Sequence, residues 1–278
     1  MKTRNMDVLN LTILDVSVGI RCAEKETRAL LTAHYGWMQG PLDGLDVQYT
    51  VTRPGRSLLL ARDGVPTSAA ADPGALLLLL DQDLIVQLQK RRPDLYFVHA
   101  GVLESAGQAF MLVAPSGGGK STTAWGLVHH GFRYMSDELG PVDLRTLMVH
   151  PYPRSLSLKG MPPRAYPLPR RAVASSRGFH ITTAAISSGI HGTAAALTAT
   201  FFLRYVRDAP RPSVRRISAA HAGARLYANA LNALAHPEDG LDAAIRIARA
   251  TACFELGAAD MAATCALVEA TLATLPTG

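Results

Sequence analysis

The chain has 278 residues, 48% of them hydrophobic, so it is long enough for one large domain or two smaller ones with a sizeable core. Its formal net charge is +6, but Lys and Arg are scattered along the sequence. The chain lacks a basic stretch interleaved with aromatic residues of the kind that binds single-stranded nucleic acid. The nearest candidate, residues 210–216 (PRPSVRR), is better explained as a solvated loop. We therefore expect no nucleic-acid partner.

The cysteines and the apolar segments indicate the cellular compartment of the protein. Cys22, Cys253 and Cys265 have no metal-site spacing, and an odd, low count fits a reducing compartment better than a disulfide scaffold. Cys253 and Cys265 lie in apolar patterns of helical type, which predicts two core positions on helices. The first residues lack an apolar stretch of signal-peptide type, and Leu76–Leu80 is too short to span a bilayer. These features predict a cytoplasmic protein without membrane contact.

Residues 1–92 are predicted to form a smaller α+β region. Alternating apolar residues and turn signals predict one or two strands within residues 8–20, strands at 47–51 and 57–61, and helices at 24–35 and 73–91. Asp72 is the expected N-cap of the second helix, with Pro73 at its first position. This region contains no chemical motif, so we expect it to serve in substrate or dimer contact.

Residues 93–278 are predicted to form a second domain with a helical C-terminal part. The expected strands lie at 96–100, 108–113, 132–136 and 199–206, with a turn at 106–107 and a further hairpin within 141–150. Residues 160–178 are rich in Pro and Arg and predict a long loop, a common place for substrate contacts. From residue 218 the chain is alanine-rich and predicted helical, with Pro237 beginning a new helix.

The stretch Ala114–Ser121 (APSGGGKS) nearly matches the phosphate-binding motif G-x-x-x-x-G-K-[ST]. Gly119, Lys120 and Ser121 are in register with the motif, and Ala114 replaces its first glycine. A buried strand is predicted before the stretch and a helix after it, which is the context that the motif requires. The sequence therefore predicts a nucleotide phosphate site. A glycine-rich turn with an accidental lysine is the alternative.

Each part of this loop has a physical task. Glycines take positive φ and let the backbone approach a ligand, and the helix start directs N–H groups and partial positive charge at an anion. Lys120 reaches the β- and γ-phosphates, and the Ser121 hydroxyl binds Mg²⁺. We therefore expect ATP and Mg²⁺ as cofactors. The residues predicted to bind the nucleotide are Pro115, Ser116, Gly117, Gly118, Gly119, Lys120, Ser121 and Thr122.

Two acids, Asp137 and Glu138, follow the strand predicted after the loop helix. In a parallel α/β arrangement the end of that strand lies beside the loop. One acid is then placed to accept the proton of an attacking hydroxyl, and the other to bind Mg²⁺ directly or through water. A polar junction between strand and turn is the alternative.

Three further side chains are candidates for phosphate contact. His99 ends a strand before the loop and is placed to contact a phosphate or to position an acid, although a lone histidine in an apolar strand is more often a core residue. Arg154 and Lys159 flank a short alternating segment, and a cation there would stabilise phosphoryl oxygens. Surface charge explains both cations equally well.

Together these residues resemble the HPr serine kinase family, and more closely its shorter HPr-kinase-related members. The segments His99–Glu104, Ala114–Ser121 and Gly131–Glu138 follow the family's order and spacing. Pro153–Lys159 looks like the proline-arginine segment ending in Leu-Lys that the related kinases carry. The match covers residues 96–160, and the flanks agree only in general layout.

The resemblance implies an α/β fold like the P-loop catalytic core shared by HPr kinase and phosphoenolpyruvate carboxykinase, with a mixed sheet. It implies transfer of the γ-phosphate of ATP to a serine of a small protein or of a ribosomal precursor peptide, lasso precursors included. By position, Asp137 is the base, Glu138 a second acid that assists the metal, and His99 an active-site residue. The expected catalytic set is Asp137, His99, Lys120, Arg154 and Lys159, with Ser121 and Glu138 as metal-binding residues.

The chain departs from true HPr kinases after the second acid, where their arginine-glycine-leucine-glycine segment is not evident. This difference argues against HPr as the acceptor and against reverse phosphorolysis. A nucleotide-sensing module without transfer and a small-molecule kinase are the alternative functions. True HPr kinases form hexamers, so the resemblance is compatible with a homo-oligomer of this chain.

Overall fold

The computed structural model describes residues 8–41, 44–206 and 208–276, which are of mixed α/β type. Residues 1–7, on which the signal-peptide expectation drew, lie outside the described part. The strands, β1–β16 in chain order, are Val8–Ile13, Val16–Cys22, Val47–Thr52, Leu58–Arg62, Val65–Ala70, Leu95–Ser105, Gln108–Val113, Arg133–Ser136, Leu139–Asp143, Met148–Val149, Leu156–Leu158, Val173–Ser175, Gly178–Ile181, Ala195–Tyr205, Ser213–Arg216 and Ala252–Ala258. The helices, α1–α6, are Lys25–Tyr35, Pro73–Arg91, Lys120–His129, Ala219–Ala228, Leu241–Ala250 and Met261–Ala273. None of these helices has the length and apolar character needed to cross a bilayer.

The chain divides into two compact units. The first unit comprises the residues up to Arg92 together with Arg154–Met161 and Leu168–Ala185, and the second comprises the remainder. The sequence prediction assigned residues 93–278 to one domain, so the two later segments of the first unit correct it. The reason is a long-range polar contact, because Arg154 donates to the Asp81 carboxylate and the Ser155 N–H donates to the His34 carbonyl.

The first unit is built on a five-stranded sheet in the order β1-β2-β3-β4-β5, in which only β2 and β3 run parallel. Clean alternation along β3 buries Val47, Tyr49 and Val51 on one face. Helix α2 begins where the sequence predicts, since the Asp72 side chain accepts a hydrogen bond from the Ala75 N–H. A second small sheet, β11-β13-β12, also belongs to this unit.

The second unit contains the larger sheet, in the order β10-β9-β6-β7-β14-β16-β15, with β8 paired to β6. The strands β7, β14 and β16 are mutually parallel, and β6 runs antiparallel to both β7 and β8. Strands β7 and β8 therefore point the same way, although β6 separates them. Both of them end at the same edge of the sheet, where β7 leads into the glycine-rich loop and β8 leads into Asp137.

Helices cover the two faces of this sheet differently. Apolar residues of α4 and α5, including Ala222, Leu226 and Ile247, share a buried core with Val113 of β7 and Phe202 of β14. Side chains of successive strand residues point to opposite faces, so Leu203 lies on the other face. That second face carries α3 and α6, which approach so closely that a Cβ on Gly126 would lie 2.6 Å from the Cys265 Sγ.

Three sequence expectations for the second half of the chain are wrong in detail. Cys253, predicted on a helix, lies in β16 in the interior of the sheet, because Ala252–Ala258 alternates between two alanine-rich helices that mask its pattern. Residues 160–178, predicted as one long loop, contain β12 and the start of β13. Pro237 begins a short 3-10 turn, and the α-helix begins at Leu241.

Candidate active site

The glycine-rich loop joins β7 to α3 and depends on glycine at several positions. Gly117 and Gly119 adopt left-handed backbone with φ of 82° and 97°, which side chains other than glycine seldom allow. At Gly118 the constraint is space, since a Cβ there would lie 2.8 Å from the Ala114 Cβ. The loop therefore turns tightly, because a side chain at any of these three positions would bring backbone strain or a close contact.

Ala114 replaces the first glycine of the motif without strain. The φ angle of Ala114 is not positive, and its methyl group is buried against Gly118. An alanine therefore suits this position because the turn takes its left-handed residues further along, at Gly117 and Gly119.

Helix α3 begins at Lys120, directly after the left-handed Gly119. The first N–H groups of a helix lack partners within the helix, and together with the helix dipole they form an anion site. Ser121 is half-buried in this first turn, and Thr122 is exposed. Of the other residues predicted to bind nucleotide, Pro115, Ser116 and Gly117 are exposed on the loop, and Gly118 and Gly119 are half-buried.

The Lys120 ammonium group is held at the base of the loop. Its side chain is buried, and Nζ donates to the carbonyl of Ala114 at 2.5 Å and lies 2.9 Å from His99 Nε2. An ammonium group can only donate, so Nε2 is the acceptor and the imidazole proton is on Nδ1. Nδ1 in turn lies 3.3 Å from both the carbonyl oxygen and the Oε1 of Glu138. The geometry therefore orders a chain from Lys120 through His99 to Glu138.

Electrostatics favours the neutral form of His99 that this chain requires. Burial is the main cause that lowers its pKa below the ordinary value, and the nearby charge of Lys120 lowers it further. Glu138 and Asp137 act in the opposite direction but do not outweigh these effects. A neutral imidazole at pH 7 keeps a lone pair for the Lys120 ammonium.

The two acids that follow β8 differ in environment. Asp137 is buried and accepts a hydrogen bond from the Tyr134 hydroxyl at 3.2 Å. The Glu138 side chain is 34% exposed. The Ser136 hydroxyl accepts from the N–H groups of Glu138 and Leu139 and fixes the turn that carries both acids. The prediction from a parallel arrangement is corrected in one respect: β8 reaches the loop edge across the antiparallel β6.

Sequence reasoning missed a segment that completes this edge, residues 229–232. Strand β7 pairs with β6 only as far as Val113, opposite Ala100, because the loop then turns away. Beyond that point the carbonyl of Asn229 accepts from the His99 N–H at 2.8 Å, and the Leu231 N–H donates to Phe97. The segment therefore takes the place of β7 beside His99.

Asn232 anchors the end of this segment through its side chain. Its Oδ1 accepts from the Phe97 N–H at 2.9 Å, and its Nδ2 donates to the Leu95 carbonyl at 2.8 Å. One amide side chain thus satisfies two backbone groups of β6, as a neighbouring strand would. No local pattern marks Asn232 in the sequence, because its partners lie far away along the chain.

Arg154 and Lys159, predicted at the phosphate site, belong to the first unit. Arg154 is buried, and its Nη1 lies 3.2 Å from both Asp81 Oδ2 and His34 Nε2. Lys159 is exposed at the end of β11. The residues that the second unit brings together at the loop are Lys120, His99 and Glu138, with Asp137 at the same turn.

The oxygen donors near the loop suit magnesium bound together with phosphates. Among the described residues, no group of three or more His, Cys, Asp or Glu side chains is arranged to hold a metal ion. Magnesium keeps several waters and commonly takes only one or two protein ligands beside substrate phosphates. The Ser121 hydroxyl and the Glu138 carboxylate are hard oxygen donors of that kind.

We compared the chain with models of known protein families and with curated proteins, and neither comparison gave a match. The assignment of function therefore depends on the chemistry of the loop and its neighbours.

Proposed function

We propose that the protein is an ATP-dependent serine kinase that phosphorylates a peptide or small protein, with the fold of the HPr kinase and phosphoenolpyruvate carboxykinase core. The observation that carries the proposal is the chain from Lys120 through His99 to Glu138 at a glycine-rich helix start, with Asp137 on the same turn. A loop alone indicates phosphate binding, and phosphoryl transfer also needs a base and a metal-binding acid. Both kinds of acid are present here.

In this proposal each residue has one task. The loop backbone and Lys120 hold the phosphates, and Ser121 and Glu138 hold Mg²⁺, which neutralises developing charge on the phosphates. Asp137 accepts the proton of the acceptor serine as its oxygen bonds to the γ-phosphorus and ADP leaves. His99 keeps the Lys120 ammonium and the Glu138 carboxylate in position. Arg154 has no assigned step because its guanidinium is held by Asp81 and His34, and Lys159 has none because no described contact links it to the loop.

The test combines peptide phosphorylation with one substitution. Purified protein is incubated with γ-labelled ATP, Mg²⁺ and serine-containing peptides, including those encoded beside its gene, and the products are analysed by mass spectrometry. We expect phosphoserine on a peptide, and a loss of at least about a hundredfold in transfer in Asp137→Asn with ATP affinity retained. Asp143→Asn is the matched control, since Asp143 ends β9 and its carboxylate accepts the N–H groups of Arg145 and Thr146 in the following turn.

Two outcomes would redirect the proposal. Near wild-type transfer in Asp137→Asn would remove its role as base. Tight Mg²⁺-dependent ATP binding without any labelled peptide would favour a nucleotide-sensing module or a small-molecule acceptor.

A further inference from the structure

Strand β14 ends in an exposed aromatic residue, Tyr205. Phe201, Phe202 and Leu203 before it are at most 2% exposed, whereas Tyr205 is 58% exposed. An exposed aromatic ring at the end of a buried strand offers a flat apolar face together with a polar hydroxyl to a ligand.

The sheet places Tyr205 at the same edge as the glycine-rich loop. Strand β14 is the parallel neighbour of β7, and Phe202 is opposite Val113, the last residue of β7. Tyr205 therefore lies three residues beyond the point at which β7 turns into the loop. In parallel sheets, ligands bind at this carboxyl edge.

Tyr205 also lies on the face of the sheet that carries the loop. Leu203 packs against the loop, since a Cβ on Gly119 would lie 3.6 Å from its Cδ2. Side chains two residues apart in a strand share a face and are separated by roughly 7 Å along it. The ring of Tyr205 therefore continues the surface formed by Leu203, one step away from the phosphate loop.

The direction of a bound nucleotide follows from the strand order β6-β7-β14. The groups assigned to transfer lie on the β6 side of β7, where His99 contacts Lys120 and Glu138. The γ-phosphate must face those groups, so the nucleoside extends to the opposite side of β7, which is β14. This step rests on the proposed function.

We propose that the Tyr205 ring is the stacking platform for the nucleotide base. Aromatic side chains at such positions bind the flat face of a base, and this contact adds affinity without involving the phosphates. Arg204 alternates to the other face of β14, so the inference does not extend to it.

The experiment measures binding of Mg²⁺–ATP and of Mg²⁺–tripolyphosphate by calorimetry in the wild type, Tyr205→Ala and Tyr205→Phe. We expect Tyr205→Ala to weaken ATP binding roughly five- to 150-fold, with Tyr205→Phe within about twofold of the wild type. Tripolyphosphate affinity should be the same in all three proteins, because the loop is intact. Tyr227→Ala is the matched control, as Tyr227 is an exposed tyrosine of the same unit on α4.

The two ligands separate failure of this inference from failure of the proposed function. Unchanged ATP affinity in Tyr205→Ala, or an equal loss for both ligands, overturns the stacking role while the phosphate site stands. A wild-type protein that binds neither ligand overturns the phosphate site and the stacking role together.

Discussion

Each unit places a histidine between a cation and a carboxylate, and the two clusters differ in what surrounds them. In the second unit His99 lies between Lys120 and Glu138, beside a glycine loop and a helix start. In the first unit His34 lies against Arg154 and Asp81, and its side chain is completely buried. Similar residue types therefore occur once beside a glycine-rich turn and a helix start and once in a closed interior.

The closed cluster even contains the order of residues found in serine hydrolases. Ser155 Oγ lies 2.5 Å from His34 Nδ1, and His34 Nε2 lies 3.2 Å from the Asp81 carboxylate. Ser155 is 0% exposed and its hydroxyl is bound to His34, which is typical of a stabilising network. The comparison teaches that the neighbouring backbone, more than residue identity, separates a candidate active site from a stabilising network.

The largest expected effect is on the closed cluster. Arg154→Met leaves the buried Asp81 carboxylate without its guanidinium partner and should lower the free energy of unfolding by about 3–5 kcal/mol. Urea unfolding can follow the first unit through Trp37 in a Trp125→Phe background, since the chain has two tryptophans, one in each unit.

The control for this change is Arg62→Met. The Arg62–Asp83 pair is partly exposed, with 30% and 22% of the two side chains accessible, so its loss should cost about 1 kcal/mol or less. A loss of about 1 kcal/mol or less in Arg154→Met as well would show that the Arg154 cluster is not a stabilising network.

The second prediction concerns the open cluster. His99→Ala removes the acceptor for the Lys120 ammonium and should lower kcat/KM for phosphoryl transfer roughly tenfold, because one hydrogen bond to a charged group is lost. His99→Gln supplies an amide oxygen and should recover most of that loss. If His99→Ala matched the wild type across steady-state assays, the ordering role of His99 would be wrong.

The smallest effect is on pH dependence in the first unit. Burial tends to raise the pKa of Asp81, but the charges of His34 and Arg154 outweigh it and hold that pKa below the usual value. As pH falls, the unfolded chain takes up the Asp81 proton first, so this carboxylate stabilises the fold above about pH 3.9 and loses that effect as pH drops towards its folded pKa.

Between pH 5 and pH 4 this one group should account for a few tenths of a kcal/mol of lost stability. The double variant Asp81→Asn Arg154→Met removes both charges without leaving either one buried alone, and its unfolding free energy should fall less over the same range. Identical pH slopes in the two proteins would contradict the assignment.

The sequence was most informative where structure is local. The strand at residues 108–113, the glycine loop and the Asp72 helix cap depend on neighbouring residues, and the described structure contains them as expected. A contiguous motif can be recognised from the sequence, because the structural constraint on each residue comes from neighbours within a few positions of the chain.

Non-local pairing explains what could not be predicted. The alternation in β16 was hidden by its alanine-rich flanks, and only its place between β14 and β15 makes it a strand. The sequence alone favours either a phosphate ligand or a surface charge at Arg154. Only the fold shows that its partner is Asp81, 73 positions earlier in the chain. Residues 229–232 carry no recognisable sequence pattern, because their role is to pair with β6 where β7 has already ended.

That replacement has a consequence for the order in which the contacts of β6 are completed during synthesis. Asn232 follows Phe97 by 135 positions, yet it supplies hydrogen bonds to Phe97 and Leu95 of β6, and Asn229 just before it supplies the one to His99. The loop and its acids are translated long before this partner emerges from the ribosome. A nascent chain therefore holds the glycine-rich loop with an unfinished strand beside it, and His99 gains this backbone contact only after Asn229 has been translated.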